Sequence, residues 1–374
     1  MSGGADPESG AIPTTSEPPP PRRRPTIADV ARAASVSPTT VSFVLNDVVG
    51  VSISDGTRRR VRHEADRLDY RPNAAARLLR TSRSDTIGFI TDEIASTPFA
   101  VDIIRGAQDA AWAHGKVLMI VNTEANPNIK ERAAALMVER QVEGLIYAAM
   151  FHQEVTTPFP TVDLPTVLVD CYAADRSITS VVPDEVGGGR EATRVLTTHG
   201  HRRIALLNLH RGMPATEGRL HGYHLALAEA GLPLDDALVR FGNNGADSGY
   251  HLTRQVMMLP DPPTALFCGN DRTAMGAYDA LKELGCRIPN DVSVVGFDNH
   301  QLIARYLRPA LTTMTLPHYE MGQWAVRHLL VGAAEDGGLG APVQHQLPCP
   351  LVERQSVAPP ITDLALGRHR AAPN

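Results

Sequence analysis

The sequence predicts a small all-α head followed by a large α/β body made of two parallel-sheet units. Three observations carry this. Residues 25–46, PTIADVARAASVSPTTVSFVLN, hold two short helical patterns with a tight break between them. From Thr86 onward, short apolar runs alternate with amphipathic helical stretches, the texture of parallel strands covered by helices. At 374 residues and 43% hydrophobic content, the chain can bury the cores of two or three domains.

In the first pattern Ile27, Val30, Ala31 and Ala34 recur at helical spacing, Thr26 is placed as N-cap, and Asp29 stands where a capping-box acid would. Ser35-Val36-Ser37 breaks it. Ser37 then caps a second helix that opens on Pro38, a first-turn position where the missing N–H would have no partner anyway. Val41, Val44 and Leu45 share one face, while Thr39, Thr40, Ser42 and Phe43 point elsewhere. Such a pair is either an ordinary helical hairpin in a core or a helix-turn-helix whose second helix reaches base edges in a DNA major groove.

After Asn46, Ser54-Asp55-Gly56-Thr57 begins a third helix in which Val61, Ala65 and Leu68 are spaced to close a three-helix core. Pro72 stops the chain again, and Asn73 can cap a short alanine-rich stretch, 74–80, that is basic at Arg77 and Arg80. By itself this reads as a linker, because so short a helix is marginal alone. Residues 1–24, rich in Pro, Ser and Gly, read as a disordered tail. Its closing Arg22, Arg23 and Arg24 are either phosphate contacts or a plain solvated basic run.

The net charge of −5 is unevenly spread: from Arg22 to Arg83 there are 13 Arg and no Lys against 6 acids, a local excess of +7. The rest is acidic. A basic front on an acidic body suits a chain whose small domain holds phosphates and whose large one does not. No apolar run approaches the ~18 residues of a membrane span, and no charged region followed by an apolar segment signals export. Cys171, Cys268, Cys286 and Cys349 are far apart with no Cys-x-x-Cys pair, which favours reduced buried thiols over disulfides or zinc. The expectation is a cytoplasmic protein with no membrane partner, no metal and no cofactor.

In the body, strands are expected at 87–90, 117–121, 144–148, 166–169, 204–208, 265–268 and 292–296, and helices at 101–114, 130–140, 185–199, 218–230, 248–258 and 272–284. Crossings between subdomains are placed at Val169-Asp170 and at Thr313 to Thr315, with a ligand cleft at the carboxyl ends of the strands. Enzymatic signals are weak, so no enzyme is expected. His63-Glu64 lacks the second histidine of a zinc-protease helix, and His221 with His224 has no acidic third ligand nearby. Gly187 to Gly189 is not a Gly-x-Gly-x-x-Gly sequence and reads as a helix start, and no Gly-x-Ser-x-Gly elbow occurs.

From Thr26 to about Ala358 the chain resembles the lactose-repressor (LacI) family of bacterial transcription regulators. The resemblance is carried by TIADVARAASVSPTTVSFVLN, YRPNAAARLL from Tyr70, HGHRRIALL from His199 and VSVVGFD from Val292. It implies a helix-turn-helix head at 25–71, a hinge helix and linker at 72–84, and a periplasmic-binding-protein-like effector and dimerisation body at 85–358, with a tail at 359–374. The N-subdomain would take about 85–169 and 316–344, the C-subdomain about 170–315 and 345–358. The implied function is that of a homodimeric repressor of a pseudo-palindromic operator in double-stranded DNA, controlled by a small-molecule effector, sugar-like or another polar metabolite. No leucine heptads follow Ala358, so no tetramer-forming coil is expected.

The resemblance also assigns residues. Pro38, Thr39 and Phe43 would read bases, and Thr26, Ser37 and Ser42 would hold phosphates, with helix capping as the alternative for the first two. Thr40 and Asn46 belong to the same DNA-facing set, and Asn73, Ala76, Leu79 and Arg80 to the hinge, with Leu79 the leucine wedged into the minor groove. Phe43 departs from the arginine usual there; it offers apolar contact to a thymine methyl where arginine would grip guanine, or else packs against the hinge. In the cleft, Arg219 and Asp298 match the family's effector-holding pair, or form a structural ion pair. Asn270 is preferred over Asp271 for ligand contact, Asp271 being an equally good N-cap. Thr97-Pro98-Phe99 replaces an Asn-Pro-Phe, with Phe99 stacking on a ring or lying in the core. Asn244 and His318 align near positions that are aromatic in sugar-binding relatives, and His152 near an acidic contact.

Overall fold

Alanine and valine build the head. In the computed structural model α1 (Ile27–Ala34), α2 (Pro38–Leu45) and α3 (Asp55–Arg67) bury Val30, Ala31, Ala34, Val41, Val44, Val61 and Ala65 against one another. Side chains this small let three short helices pack closely. Thr26 and Asp29 form the expected capping box, with the Thr26 amide donating to Asp29 Oδ2 at 2.9 Å. Ser35, at φ 55°, takes the left-handed turn that ends α1, and Ser37 accepts from the Thr40 amide at 3.0 Å to start α2. The open C-terminus of α1 is closed from α3, where Arg60 Nε donates to the Ala34 carbonyl at 2.9 Å.

The structure describes residues 25–48, 50–71, 84–96, 100–156, 158–159, 162–332 and 341–361. The expectations for the tail, for Asn73, Ala76, Leu79 and Arg80, and for Phe99 fall outside these. The chain divides into two units, residues 1–82 and 83–374.

The body holds two six-stranded sheets. The first is built from β1 (Thr86–Thr91), β2 (Val117–Asn122), β3 (Leu145–Val155), β4 (Thr166–Ala173), β5 (Thr179–Pro183) and, much later, β11 (Gln344–Leu347), in the order β11-β5-β4-β3-β1-β2. The second uses β6 (Ile204–Asn208), β7 (Val239–Phe241), β8 (Ala265–Cys268), β9 (Ser293–Asp298), β10 (Thr312–Thr315) and β12 (Leu351–Val352), in the order β12-β10-β9-β8-β6-β7. Pairing is parallel except between β10 and β12. Parallel strands covered on both faces are apolar throughout, as in β6, whose five residues are all buried.

Helices α4 (Val101–Ala113), α5 (Pro127–Glu139) and α10 (His318–Gly332) serve the first lobe; α6 (Glu185–Thr198), α7 (Pro214–Glu229), α8 (Ala246–Met257) and α9 (Asp271–Glu283) serve the second. Three of these pairs meet backbone to backbone at glycines. A Cβ at Gly189 of α6 would stand 2.6 Å from the Arg219 carbonyl of α7, and one at Gly222 would be 2.3 Å from the Val186 carbonyl. Gly249 and Gly276 do the same for α8 and α9, and Gly106 and Gly322 for α4 and α10.

The topology corrects one placement. Strand β5, absent from the sequence reading, pairs with β4 and β11, so the chain leaves the first lobe after Pro183 and not at Val169-Asp170. It returns after Thr315, through α10, which packs on α4. The last crossing follows Leu347, not residue 344, because β11 still pairs with β5.

The first strand of the body is pinned by a charged trio. Lys116 Nζ sits 2.9 Å from Asp85 Oδ1 and 2.8 Å from Glu143 Oε1, and Glu143 Oε1 accepts the Asp85 amide at 2.9 Å. Burial disfavours the ammonium, yet the two carboxylates outweigh it and raise the Lys116 pKa. Lys116→Met should therefore remove the cation that two part-buried acids share and cost about 2–4 kcal/mol in chemical denaturation. Arg287→Met, which breaks an exposed pair with Asp291, should cost below about 1 kcal/mol.

Candidate functional site

On the head, α2 and its caps present Ser37, Pro38, Thr39 and Asn46 exposed, and Thr40, Ser42 and Phe43 half-buried. Several are tied to each other. Ser37 Oγ lies 2.9 Å from Thr40 Oγ1, and Asn46 Nδ2 donates to the Ser42 carbonyl at 2.7 Å and to Ser42 Oγ at 3.3 Å. Thr26 and Ser37 are caps, so their hydroxyls already serve the helix ends. Phe43 stands outside the core cluster of the head, half exposed on a helix that carries no charged side chain. Residues 25–71 hold 7 Arg against 6 acids. The basic excess therefore belongs to the flanks, at Arg22 to Arg24 and at Arg77, Arg80 and Arg83.

The cleft lies where the strands of both sheets end. His152 comes from the end of β3, Asp170 from β4, Glu185 from the start of α6, Arg219 from α7, Asn270 from the residue after β8's loop, and Asp298 from the end of β9. With Phe151, Leu209, Met213, Ala215, Asn244, Arg272 and Leu316 they line a pocket of about 380 Å³. Asp170, Asn244 and Asp298 hold φ of 55°, 68° and 109°, left-handed backbone that side chains seldom adopt, here gathered around one pocket.

Arg219 is the centre of this wall, and the acid nearest to it is Glu185. Its Nε donates to Glu185 Oε2 at 2.7 Å and its Nη2 to Glu185 Oε1 at 3.3 Å, a two-pronged pair that is 3% and 4% exposed. A further N–H reaches the Gly269 carbonyl, and the guanidinium lies 3.7 Å over the Phe297 ring. Asp298 is only at 4.0 Å. Arg219 thus pairs chiefly with Glu185, an acid the sequence reading did not name, while Asp298 stands as a looser neighbour in the same pocket.

Asn270 lines the pocket as well, and the cap role weighed for Asp271 is corrected. Asn270 is itself the N-cap of α9, its Oδ1 accepting the Thr273 amide at 2.7 Å, while its Nδ2 donates to the Asn244 carbonyl at 3.0 Å. Asp271 is no cap. It is fully buried, accepting from Thr313 Oγ1 at 2.6 Å and from the His300 amide at 2.7 Å. His318 lies 3.9 Å from Asp170 and lines an adjoining pocket of about 930 Å³ that shares Asp298 and Leu316 with the first. Asn244 faces the first pocket, with Oδ1 accepting the His210 amide at 2.7 Å.

Sequence reasoning missed Asp170, Glu185 and Arg272. A readable signal existed for Asp170, a lone carboxylate closing the apolar run TVLVD.

Burial dominates the electrostatics. It pushes the Asp170 carboxyl up to about 7, against the pull of His152 and Arg219, and does the same to Asp271. Asp298 is also raised well above the carboxylate range by burial. Glu185 goes the other way: burial opposes its charge, but Arg219 and His152 together hold its pKa below the usual value. His318 is lowered to about 4, chiefly by burial. Among the described residues no cluster suited to a metal ion occurs, and no helix is long and apolar enough to cross a membrane.

Two family signatures cover this architecture. Residues 26–73 match the bacterial regulatory proteins of the lacI family, and residues 84–348 match the periplasmic binding proteins and sugar binding domain of the LacI family. The chain belongs to the LacI family. This LacI-family chain is 33% identical over 308 residues to the HTH-type transcriptional repressor PurR of Photobacterium profundum, covering 82% of this chain and 91% of that one. It is 34% identical over 306 residues to the HTH-type transcriptional regulator RegA of Clostridium saccharobutylicum, covering 81% and 91%. Among solved structures, the lac repressor dimer bound to operator and the anti-inducer ONPF superposes with a TM-score of 0.72 at 27% identity, over 90% of this chain and all of that one. The transcriptional regulator CelR in complex with cellobiose gives 0.62 at 29% identity, over 89% and all of that chain. The protein is a DNA-binding transcriptional regulator of this family with a small-molecule-binding body.

The raised Asp170 pKa gives a signed expectation. Between pH 4 and 7 the folded state keeps a proton that the unfolded chain has lost, so stability falls as pH rises through that window. Asp170→Asn, which cannot ionise, should melt close to the parent at pH 4 and be more stable at pH 8, by up to a few kcal/mol. A difference that does not change with pH would remove Asp170 from this titration.

Proposed function

We propose that the protein is a homodimeric repressor that binds a pseudo-palindromic operator and changes its operator affinity when a small polar molecule enters the cleft. The observation that carries this reading is the union, in one chain, of an exposed, uncharged α2 bearing hydroxyls and Phe43 with a buried polar cleft at the strand ends of two lobes. Head residues Pro38, Thr39 and Phe43 would meet bases, with Phe43 suited to a thymine methyl. Thr40, Ser42 and Asn46 would line the same face. Asn73, Ala76, Leu79 and Arg80 would form the hinge, and Arg22 to Arg24 would meet phosphates.

Symmetry supports the dimer, since two identical heads read two half-sites. So does an exposed apolar edge on the first lobe, where Val117 is 52% and Trp112 62% exposed on β2 and α4. Leu302 and Tyr306 expose comparable surface on the second lobe. In the cleft, His152, Arg219, Asn244, Asn270, Asp298 and His318 form the proposed effector wall, and Phe99, outside the described residues, is proposed with them on the family resemblance alone.

Selection from a random-sequence DNA library with the full chain tests the reading directly. A folded dimer that enriches no sequence would overturn it and leave a solute-binding role. Leu79→Ala should weaken operator binding far more than non-specific binding, because only the operator complex uses a minor-groove wedge; equal losses would reduce the segment to a linker. Replacing Arg22, Arg23 and Arg24 with Ala should flatten the slope of log affinity against log salt by up to about 3 per protomer, with base preference unchanged.

A further inference from the structure

The effector cleft continues outward into a wider pocket of about 1100 Å³, which shares Phe151 and Met213 with the inner one and adds Gln153, Glu154, Tyr172 and Glu217. Taken together the two pockets are lined by five acidic side chains, Asp170, Glu185, Asp298, Glu154 and Glu217, against two guanidiniums, Arg219 and Arg272; burial favours the neutral form of Asp170 and Asp298, so the negative charge a ligand meets outside the Glu185–Arg219 pair is that of Glu154 and Glu217. One of those guanidiniums is already spent on Glu185 and the Gly269 carbonyl.

Inside, acceptors lack partners. Asp170 Oδ1 and Asp298 Oδ2 are buried with no hydrogen bond, on side chains each 4% exposed, while His152 Nδ1 stands 3.6 Å from Glu185 Oε1. A buried carboxylate oxygen left without a donor costs free energy until something supplies one. Outside, Glu154 and Glu217 are exposed and make no ion pair among the described residues. They stand beside the half-buried rings of Phe151 and Tyr172, and Tyr172 already receives a cation on one face, the Arg176 guanidinium at 3.6 Å. The adjoining pocket on the His318 side is mixed, with Arg105 and Arg305 beside Asp102 and Asp298 on its wall.

We propose that the effector is a nitrogenous cation, an amine, amidine or protonated heterocycle rich in N–H donors. It places donors against Asp170 and Asp298 and its positive end toward Glu154, Glu217 and the two rings. The inference rests on the effector-cleft reading above and names the ligand class for that site. A neutral polyol would satisfy the inner acceptors and leave the outer acids and rings idle. A carboxylated or phosphorylated ligand would meet the like charges of Glu154 and Glu217.

Two probe sets that differ in charge test it on the full chain: glucosamine, glucose and glucuronate, and benzamidine, benzamide and benzoate. Each is followed by thermal shift and by calorimetry at millimolar concentration. The cationic member of at least one set should bind at least about fivefold more tightly than its neutral partner, and the anion should not bind. Glu154→Gln/Glu217→Gln, two exposed changes that leave the core untouched, should cut that preference about five- to tenfold, and added salt should erode it. Equal or tighter binding of the neutral or anionic member, absence of any response to both cations, or an unchanged preference in the double variant each overturns the proposal. Operator binding measured on the same preparation separates the two readings. If it persists while the cation preference fails, only the ligand class is wrong; if specific DNA binding is absent, the regulator reading itself falls.

Discussion

The wall of the cleft depends on one buried ion pair, Glu185 with Arg219. Both side chains are almost wholly out of water, where separating the charges would leave each with a desolvation cost and no return. The pair can form only because α6 and α7 approach at backbone distance. Gly189 and Gly222 make that approach possible, and any side chain at either would push the helices apart. The run Glu185-Val186-Gly187-Gly188-Gly189 is thus a packing device, with Asp184 capping it through the Gly187 amide at 2.8 Å. Once Glu185 has taken two prongs of Arg219, Phe297 its face and Gly269 another N–H, the guanidinium is fixed. Asp298 and Asp170 are then left as the carboxylates with acceptor capacity to offer.

Much of the fold was legible because its signals are local. Strands 204–208 and 265–268 coincide with β6 and β8, since a continuous apolar run between turn residues leaves little else for them to be. Thr26 and Ser37 declared the head's helix starts by the chemistry of their own side chains. The misplaced crossing has a physical reason. TSVVP at β5 is short and follows an exposed, charged turn, and its place in the first sheet rests on pairing, with β4 on one side and, on the other, with β11 more than 160 residues away. Helix α10 was missed in the same region, and it too belongs to the first lobe through contact with the distant α4.

In the site, residue identity was more legible than residue role. Arg219, Asn244, Asn270, Asp298 and His152 do converge on one pocket. What sequence could not supply is which acid Arg219 chooses, because Glu185 and Asp298 are both a single helix or strand end away in space and far apart in the chain. Distance settles it, 2.7 Å against 4.0 Å. The Asn270 and Asp271 question was settled by the same kind of fact. Both are plausible caps, but only one oxygen can lie against the Thr273 amide, and the other carboxylate is drawn inward by Thr313 and the His300 amide.

The same wall explains how occupancy could be felt at a distance. Contacts bridge the lobes on both sides of the pocket: His152 of the first lobe stands 3.6 Å from Glu185 of the second, and Gln301 of the second donates to Asp102 of the first at 2.8 Å. A ligand that supplies donors to Asp170 on one lobe and Asp298 on the other gains more as the lobes close, because each carboxyl group is already desolvated and keeps one oxygen without a hydrogen bond. That difference in affinity between open and closed arrangements is the whole of the free energy available for switching. Buried acceptors held on strained backbone at Asp170 and Asp298 enlarge it, since what an empty site lacks in hydrogen bonds is what a bound molecule can restore.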